Sequence, residues 1–182
     1  TELLAFFRKR MKHTWKVTFF SAFILFLLIH FYKLTNYLPN HDTLYNFYST
    51  QNVVGSGRWF LQYACGISSY FDLPWFNGLL CAVYLGLTAV CIVELLNIQN
   101  PVIIVLTAAI LAGTPSTTET LFFGYTADGY LLGLAMGALS ACLSCKDGKL
   151  SRYAASTVLL CLSCGIYQSC VSFAAMCCIC HL

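Results

Sequence analysis

The sequence predicts an all-α, polytopic transmembrane protein, on three observations. Of its 182 residues 59% are apolar and 9% charged, and the mean hydropathy is +0.73, a balance that soluble domains of this size rarely have. The apolar residues come in blocks of roughly 15 to 25 without the regular alternation of about ten-residue strands, which fits spanning helices and not an outer-membrane barrel. Basic residues gather at the edges of these blocks, where Lys and Arg mark the cytoplasmic side. The net charge of +3 says less than that placement.

In chain order, Arg8, Lys9, Arg10, Lys12 and Lys16 precede the first apolar block, so the N-terminus is expected in the cytoplasm. The block 15–32 reads as an uncleaved first span anchored by Trp15 and Tyr32. It is longer than a signal-peptide core, and YKLTNYLPN offers no small-x-small cleavage site. Segment 33–74 is then an outer loop whose fixed positive charges are Lys33 and Arg58. Within it, 57–71 carries Trp59, Phe60, Tyr63, Ile67 and Tyr70 at helical spacing with Gln62, Ser68 and Ser69 between. That pattern predicts an interfacial helix resting its aromatics on lipid or on neighbouring helices.

The second span is expected over 75–96, with Glu94 near its cytoplasmic end. NIQN before Pro101 is a tight turn, and Pro suits the first position of the next helix. A third span over 101–123 is expected to kink near Pro115, with 114–129 forming a second outer loop that holds Glu119 and Asp128. The fourth span, 130–145, is rich in small residues (Gly133, Ala135, Gly137, Ala138, Ala141) that let helices approach closely. Lys146, Lys149 and Arg152 mark the following turn as cytoplasmic, in agreement with alternation. The last block, 153–182, exceeds one ordinary span and reads as a long tilted helix or two pieces broken near Gly165. The chain starts without Met and stops inside SCVSFAAMCCICHL, so it reads as a fragment.

Eleven cysteines would suggest a disulfide framework in a short secreted protein, but nearly all lie inside apolar blocks, where they serve as packing residues. CLSC at 142–145 and again at 161–164 matches a zinc-type spacing. With 146–152 as a turn between antiparallel helices, however, Cys145 sits at the turn and Cys161 roughly 14 Å deep, so no metal site is expected there.

The candidate chemistry lies in the outer loops, where Asp42, Asp72, Glu119 and Asp128 fall. Topology rules do not require acidic residues there, which makes them candidate functional groups. Asp72 and Asp128-Gly129 also suit plain turns. Asp42 could act as a general base on an acceptor hydroxyl, and the Arg58 guanidinium could grip a phosphate through paired charge-assisted bonds. Together they suggest transfer chemistry on a phosphate-bearing lipid. Arg58 with Trp59 also fits an interfacial anchor pair. His41 could be a proton carrier or a solvated loop residue, and Tyr167-Gln168 could serve interhelical bonding or substrate contact. No nucleotide loop, nucleophile elbow or nucleic-acid module is present.

HDTLYN, the GSGRW that follows, LPWFNGLL at the start of the second span, FFGYTADGYLLG and GIYQS occur in an order that resembles the bacterial type II glucosyl transferases, which modify O-antigen and related surface polymers. These belong to the polytopic GT-C glycosyltransferases. The resemblance covers most of 33–169 and implies the N-terminal portion of a GT-C-like fold in the bacterial cytoplasmic membrane, with the active-site loops on the outer face. It implies an enzyme that moves glucose from a polyprenyl-phosphate donor to a surface glycan, with no nucleic acid involved. Asp42 would be the catalytic base and Arg58 would bind the donor phosphate. Glu119 and Asp128 would position sugar, acceptor or a divalent cation. Related families often have paired acids in the first loop; this chain has Asp42 preceded by His41, which argues against a metal pair there. Two rival readings are a transporter or flippase of lipid-linked saccharides, which would use Arg58 without needing a base, and a non-catalytic membrane assembly subunit. Acids clustered in loops, with no broken polar helices lining a path, speak for the enzyme.

Overall fold

The computed structural model describes residues 11–71, 73–146 and 150–181. Arg8, Lys9, Arg10, Asp72 and Lys149 lie outside them. Among the described residues the secondary structure is helical, apart from an isolated antiparallel bridge between Val53 and Arg58. The larger helices are α1 (His13–Ile29), α6 (Pro74–Leu95), α7 (Pro101–Gly113), α8 (Pro115–Phe122), α9 (Ala127–Ser144), α10 (Leu150–Ile166) and α11 (Ser169–His181). Between α1 and α6 the chain forms four short helices, α2 (Phe31–Thr35), α3 (His41–Asn46), α4 (Leu61–Ala64) and α5 (Gly66–Tyr70), with a 3-10 turn at Val54–Ser56.

Two helices, α6 and α9, are long and apolar enough to cross a membrane, and α7 with α8 makes a third if the bent pair is one span. Pro115 begins α8, and the two helices meet at 41°. Thr114 caps α8 at Thr117 N–H, while the Thr117 hydroxyl donates to Leu111 O at 2.8 Å across the bend, re-satisfying backbone that the proline frees.

Packing follows from small residues. Ala22 on α1, Ala89 on α6 and Ala108 on α7 form one buried contact, and a Cβ on Gly86 would meet the Phe19 ring at 2.8 Å. On α9 a Cβ at Gly133 would meet Ile166 at 3.2 Å, and one at Gly137 would meet the Cys170 carbonyl at 3.1 Å. That close approach lets Ser163 Oγ donate to Gly133 O at 2.7 Å and Ser140 Oγ to Ser156 O at 2.9 Å, bonds that tie helices together where no water competes. So α9 lies between α6 on one side and α10 and α11 on the other.

Three sequence expectations change. The helix expected over 57–71 is broken at Cys65 (φ −113°, ψ 20°) into α4 and α5, and its Leu61, Cys65, Ser68 and Ser69 are buried, because this segment packs against α9 and α10. The span expected over 101–123 with a kink near Pro115 is α7 followed by α8, but the outer loop expected to run to Gly129 is cut short, because Asp128 stands in the first turn of α9. The first helix ends at Ile29, since His30 leaves helical geometry (φ −100°, ψ 9°) and its ring nitrogen pairs with Ala112 O at 2.9 Å. The last block, left open from sequence between one long helix and two pieces, is two helices with the break at Tyr167-Gln168 just beyond Gly165.

Candidate functional site

The loop helices are pinned at one end of α6 and α9. Asn40 caps α3 by accepting from Thr43 N–H at 2.7 Å, a residue type suited to that position. The Thr43 hydroxyl reaches Phe122 O at 3.1 Å, fixing α3 and its Asp42 to the end of α8, the helix that carries Glu119. On the other side, Gly57 takes a left-handed conformation (φ +80°) that a side chain would resist. It turns the chain so that Arg58 pairs back to Val53 and the Phe60 N–H donates to Gly165 O at 2.8 Å. Gln168 Nε2 donates to Ser56 O at 2.6 Å, closing the same junction.

These anchors surround a cleft of about 530 Å³ lined by Asp42, Arg58, Glu119, Tyr125, Tyr130 and Tyr167, among others. The Arg58 guanidinium lies over the Tyr167 ring at 4.8 Å, and its Nη1 donates to the Tyr130 hydroxyl at 3.2 Å. Its Nε is buried and has no partner among the described residues, and no carboxylate there pairs with it. The Asp42 side chain is 58% exposed, and the His41 ring lies 3.8 Å from its carboxylate. Burial, and after it the neighbouring Tyr130 and Asp42 groups, push the Tyr125 phenol up to about 12, against the pull of Arg58. Tyr125 is therefore a neutral phenol at working pH.

Of the residues singled out from sequence, Asp42, Arg58, Glu119 and Tyr167 share this cleft. The other four do not line it. His41 stacks on Tyr45 at 4.8 Å on the exposed face of α3. The Trp59 indole sits against Gly165 of α10, where an added Cβ would meet it at 2.5 Å, and keeps 45% of its surface exposed. Gln168 is spent on Ser56. Asp128 is 2% exposed and accepts from the Ser68 hydroxyl, while Ser69 donates to Tyr125 O at 2.9 Å, an oxygen that Ser68 Oγ also approaches at 3.2 Å. Asp128 thus fastens α5 beneath the Tyr125 turn.

Glu119 lines the cleft and Asp128 does not. Among the described residues no group of three or more His, Cys, Asp or Glu is placed to hold a metal. Tyr125 and Tyr130 were missed from sequence. Aromatics at the edge of an apolar block read as packing, and only the position of Tyr130 one helical turn after Thr126 hinted that it faces the loop side.

A helical membrane protein with a polar, arginine- and carboxylate-lined cleft at one end of its helices suits a transferase better than a pore. Residues 31–182 match the family Glucosyl transferase GtrII, and the chain belongs to that glycosyltransferase family. The match starts just past His30 and takes in every residue of the cleft. No curated protein and no solved structure matches the chain.

Proposed function

We propose that this cleft is the site at which glucose passes from a polyprenyl-phosphate donor to a cell-surface glycan on the outer leaflet of the bacterial cytoplasmic membrane. The observation that carries the reading is the gathering of Asp42, Arg58 and Glu119, from separate parts of the chain, around one cavity. Asp42 takes the proton of the acceptor hydroxyl as that oxygen attacks the anomeric carbon. The bond from this carbon to the phosphate oxygen breaks, and the electron pair leaves on the phosphate. Arg58 holds the phosphate throughout and neutralises the charge that gathers on it. Glu119, exposed on the opposite wall, accepts from hydroxyls of the sugar or acceptor.

The distribution of charge supports the orientation. Lys12 and Lys146 converge on Glu94 at the far end of α6, roughly 30 Å from the cleft at helical rise, and basic residues favour the cytoplasmic face. The test is glucose transfer from polyprenyl-phosphate glucose to surface glycan, in membranes from cells expressing the full chain, comparing wild type with Asp42→Asn at equal expression. Loss of transfer with donor binding retained is expected. Full activity in the variant would sink the base assignment, and absence of transfer by the wild type would favour transport of the lipid-linked sugar.

A further inference from the structure

Hydrogen-bond accounting at Arg58 points to a second ligand for the donor. The Tyr130 oxygen already accepts from Arg58 Nη1. A phenol has one proton to give; the Thr126 side chain, one turn earlier, lies within hydrogen-bond reach of this hydroxyl, and a phosphate oxygen entering the cleft would compete with it for that proton. The Tyr130 ring packs against Tyr167 at 5.1 Å, the same ring that carries the guanidinium. Both groups line the cleft. Arg58 therefore presents its remaining N–H donors, and Tyr130 its O–H, from a single aromatic-backed unit with no carboxylate to satisfy them.

We propose that Tyr130 is a phosphate-binding residue that acts jointly with Arg58, its hydroxyl donating to one oxygen of a lipid-linked phosphate while the guanidinium takes another. Tyr167 is the positioning residue that holds Arg58 flat by cation–π contact. The inference rests on the functional reading above, and it names groups that a tetrahedral, two-oxygen contact needs. A guanidinium alone would grip any anion; a phenol set beside it adds a neutral donor at fixed spacing, which suits a phosphate diester carrying one negative charge.

The experiment measures donor KM, acceptor KM and kcat, together with the inhibition constant of free polyprenyl phosphate, for Tyr130→Phe, Tyr167→Leu, Tyr167→Phe and Arg58→Gln in native membranes. Tyr130→Phe keeps the ring and is expected to raise donor KM and the inhibition constant roughly tenfold, the loss typical of a hydrogen bond to a charged group, with acceptor KM unchanged. Tyr167→Leu is expected to raise the same two constants several-fold, and Tyr167→Phe, which keeps the π face, to restore them. If Arg58→Gln weakens donor binding while Tyr130→Phe does not, the joint site is overturned and the functional reading stands. If Arg58→Gln leaves donor binding unchanged, both fall. An equal loss in donor and acceptor constants for Tyr130→Phe would mark general damage to the fold and would also overturn the proposal.

Discussion

The two ends of the helices hold ionisable clusters of opposite design. At one end Glu94 is saturated: Lys12 Nζ approaches its two oxygens at 2.7 and 2.9 Å, Lys146 Nζ lies at 2.9 Å, and the Trp15 indole donates at 2.7 Å. That carboxylate clasps α1, α6 and the end of α9, and has no capacity left for a ligand. At the other end Asp42, Arg58 and Glu119 line one cleft without an ion pair among them. Charges that could neutralise one another are instead held apart by backbone anchors: Thr43 on Phe122 for Asp42, and Phe60 on Gly165 for Arg58. A fold that satisfies its charges fully at one end and withholds them at the other has separated closure from chemistry.

The sharpest way to break this contrast is to remove one carboxylate from each end. Asp42→Asn is expected to lower glucose transfer by about 10²–10⁴-fold, the usual contribution of a positioned base, while thermal unfolding in detergent stays where it was, since the Asp42 side chain supports nothing but its contact with His41. If both ends were structural, unfolding would shift and transfer would follow it.

The next effect concerns how the open end is kept open. A Cβ at Gly165 would come within 2.5–2.8 Å of the Trp59 indole, a rigid ring that cannot step aside as a flexible chain would. Gly165→Ala is expected to cost about 1–3 kcal/mol as overpacking and to loosen the Phe60 anchor, so that donor KM rises with the loss of stability. Gly55→Ala, where nothing lies within 4 Å, serves as the control and should change neither. Ser68→Ala sharpens the same point beneath Tyr125. It leaves the buried Asp128 carboxylate without its side-chain donor, at a cost of about 1–3 kcal/mol, and most of that cost should vanish when Asp128→Ala is already present, as a double-mutant cycle would read.

How much of this was legible in the chain differs between the same two ends. Helices α6 and α9 follow from apolar length, although the first turn of α9, with Asp128, reads as loop. Asp42, Arg58 and Glu119 stood out because a charge between apolar blocks has few structural reasons to exist. The aromatic run of α4 and α5 reads as one amphipathic helix resting on lipid or on neighbouring helices; the break at Cys65 and the seat that Gly165 offers the Trp59 indole are things no local pattern encodes. Asp128 looked like a loop acid because its partner Ser68 is 60 positions away. Tyr130 was invisible as a ligand, since its distinguishing feature is an acceptor contact with a residue 72 positions earlier. Periodicity reports which way a side chain faces, and not what waits there.

The smallest effect is the one that tests the saturated end by itself. Glu94→Gln keeps the shape and one acceptor oxygen for the Trp15 indole, and removes the charge that two lysines share. Lys12 and Lys146 are 59% and 45% exposed, so water compensates much of the lost attraction, and a cost of about 1 kcal/mol or less is expected. Raising the salt concentration should shrink even that difference, because screening weakens the wild-type pairs and leaves the variant unaffected. Donor and acceptor KM should stay as in the wild type, roughly 30 Å away along α6. A change in donor KM without a change in unfolding would mean that the two ends communicate through α6, and the clasp would then belong to the chemistry.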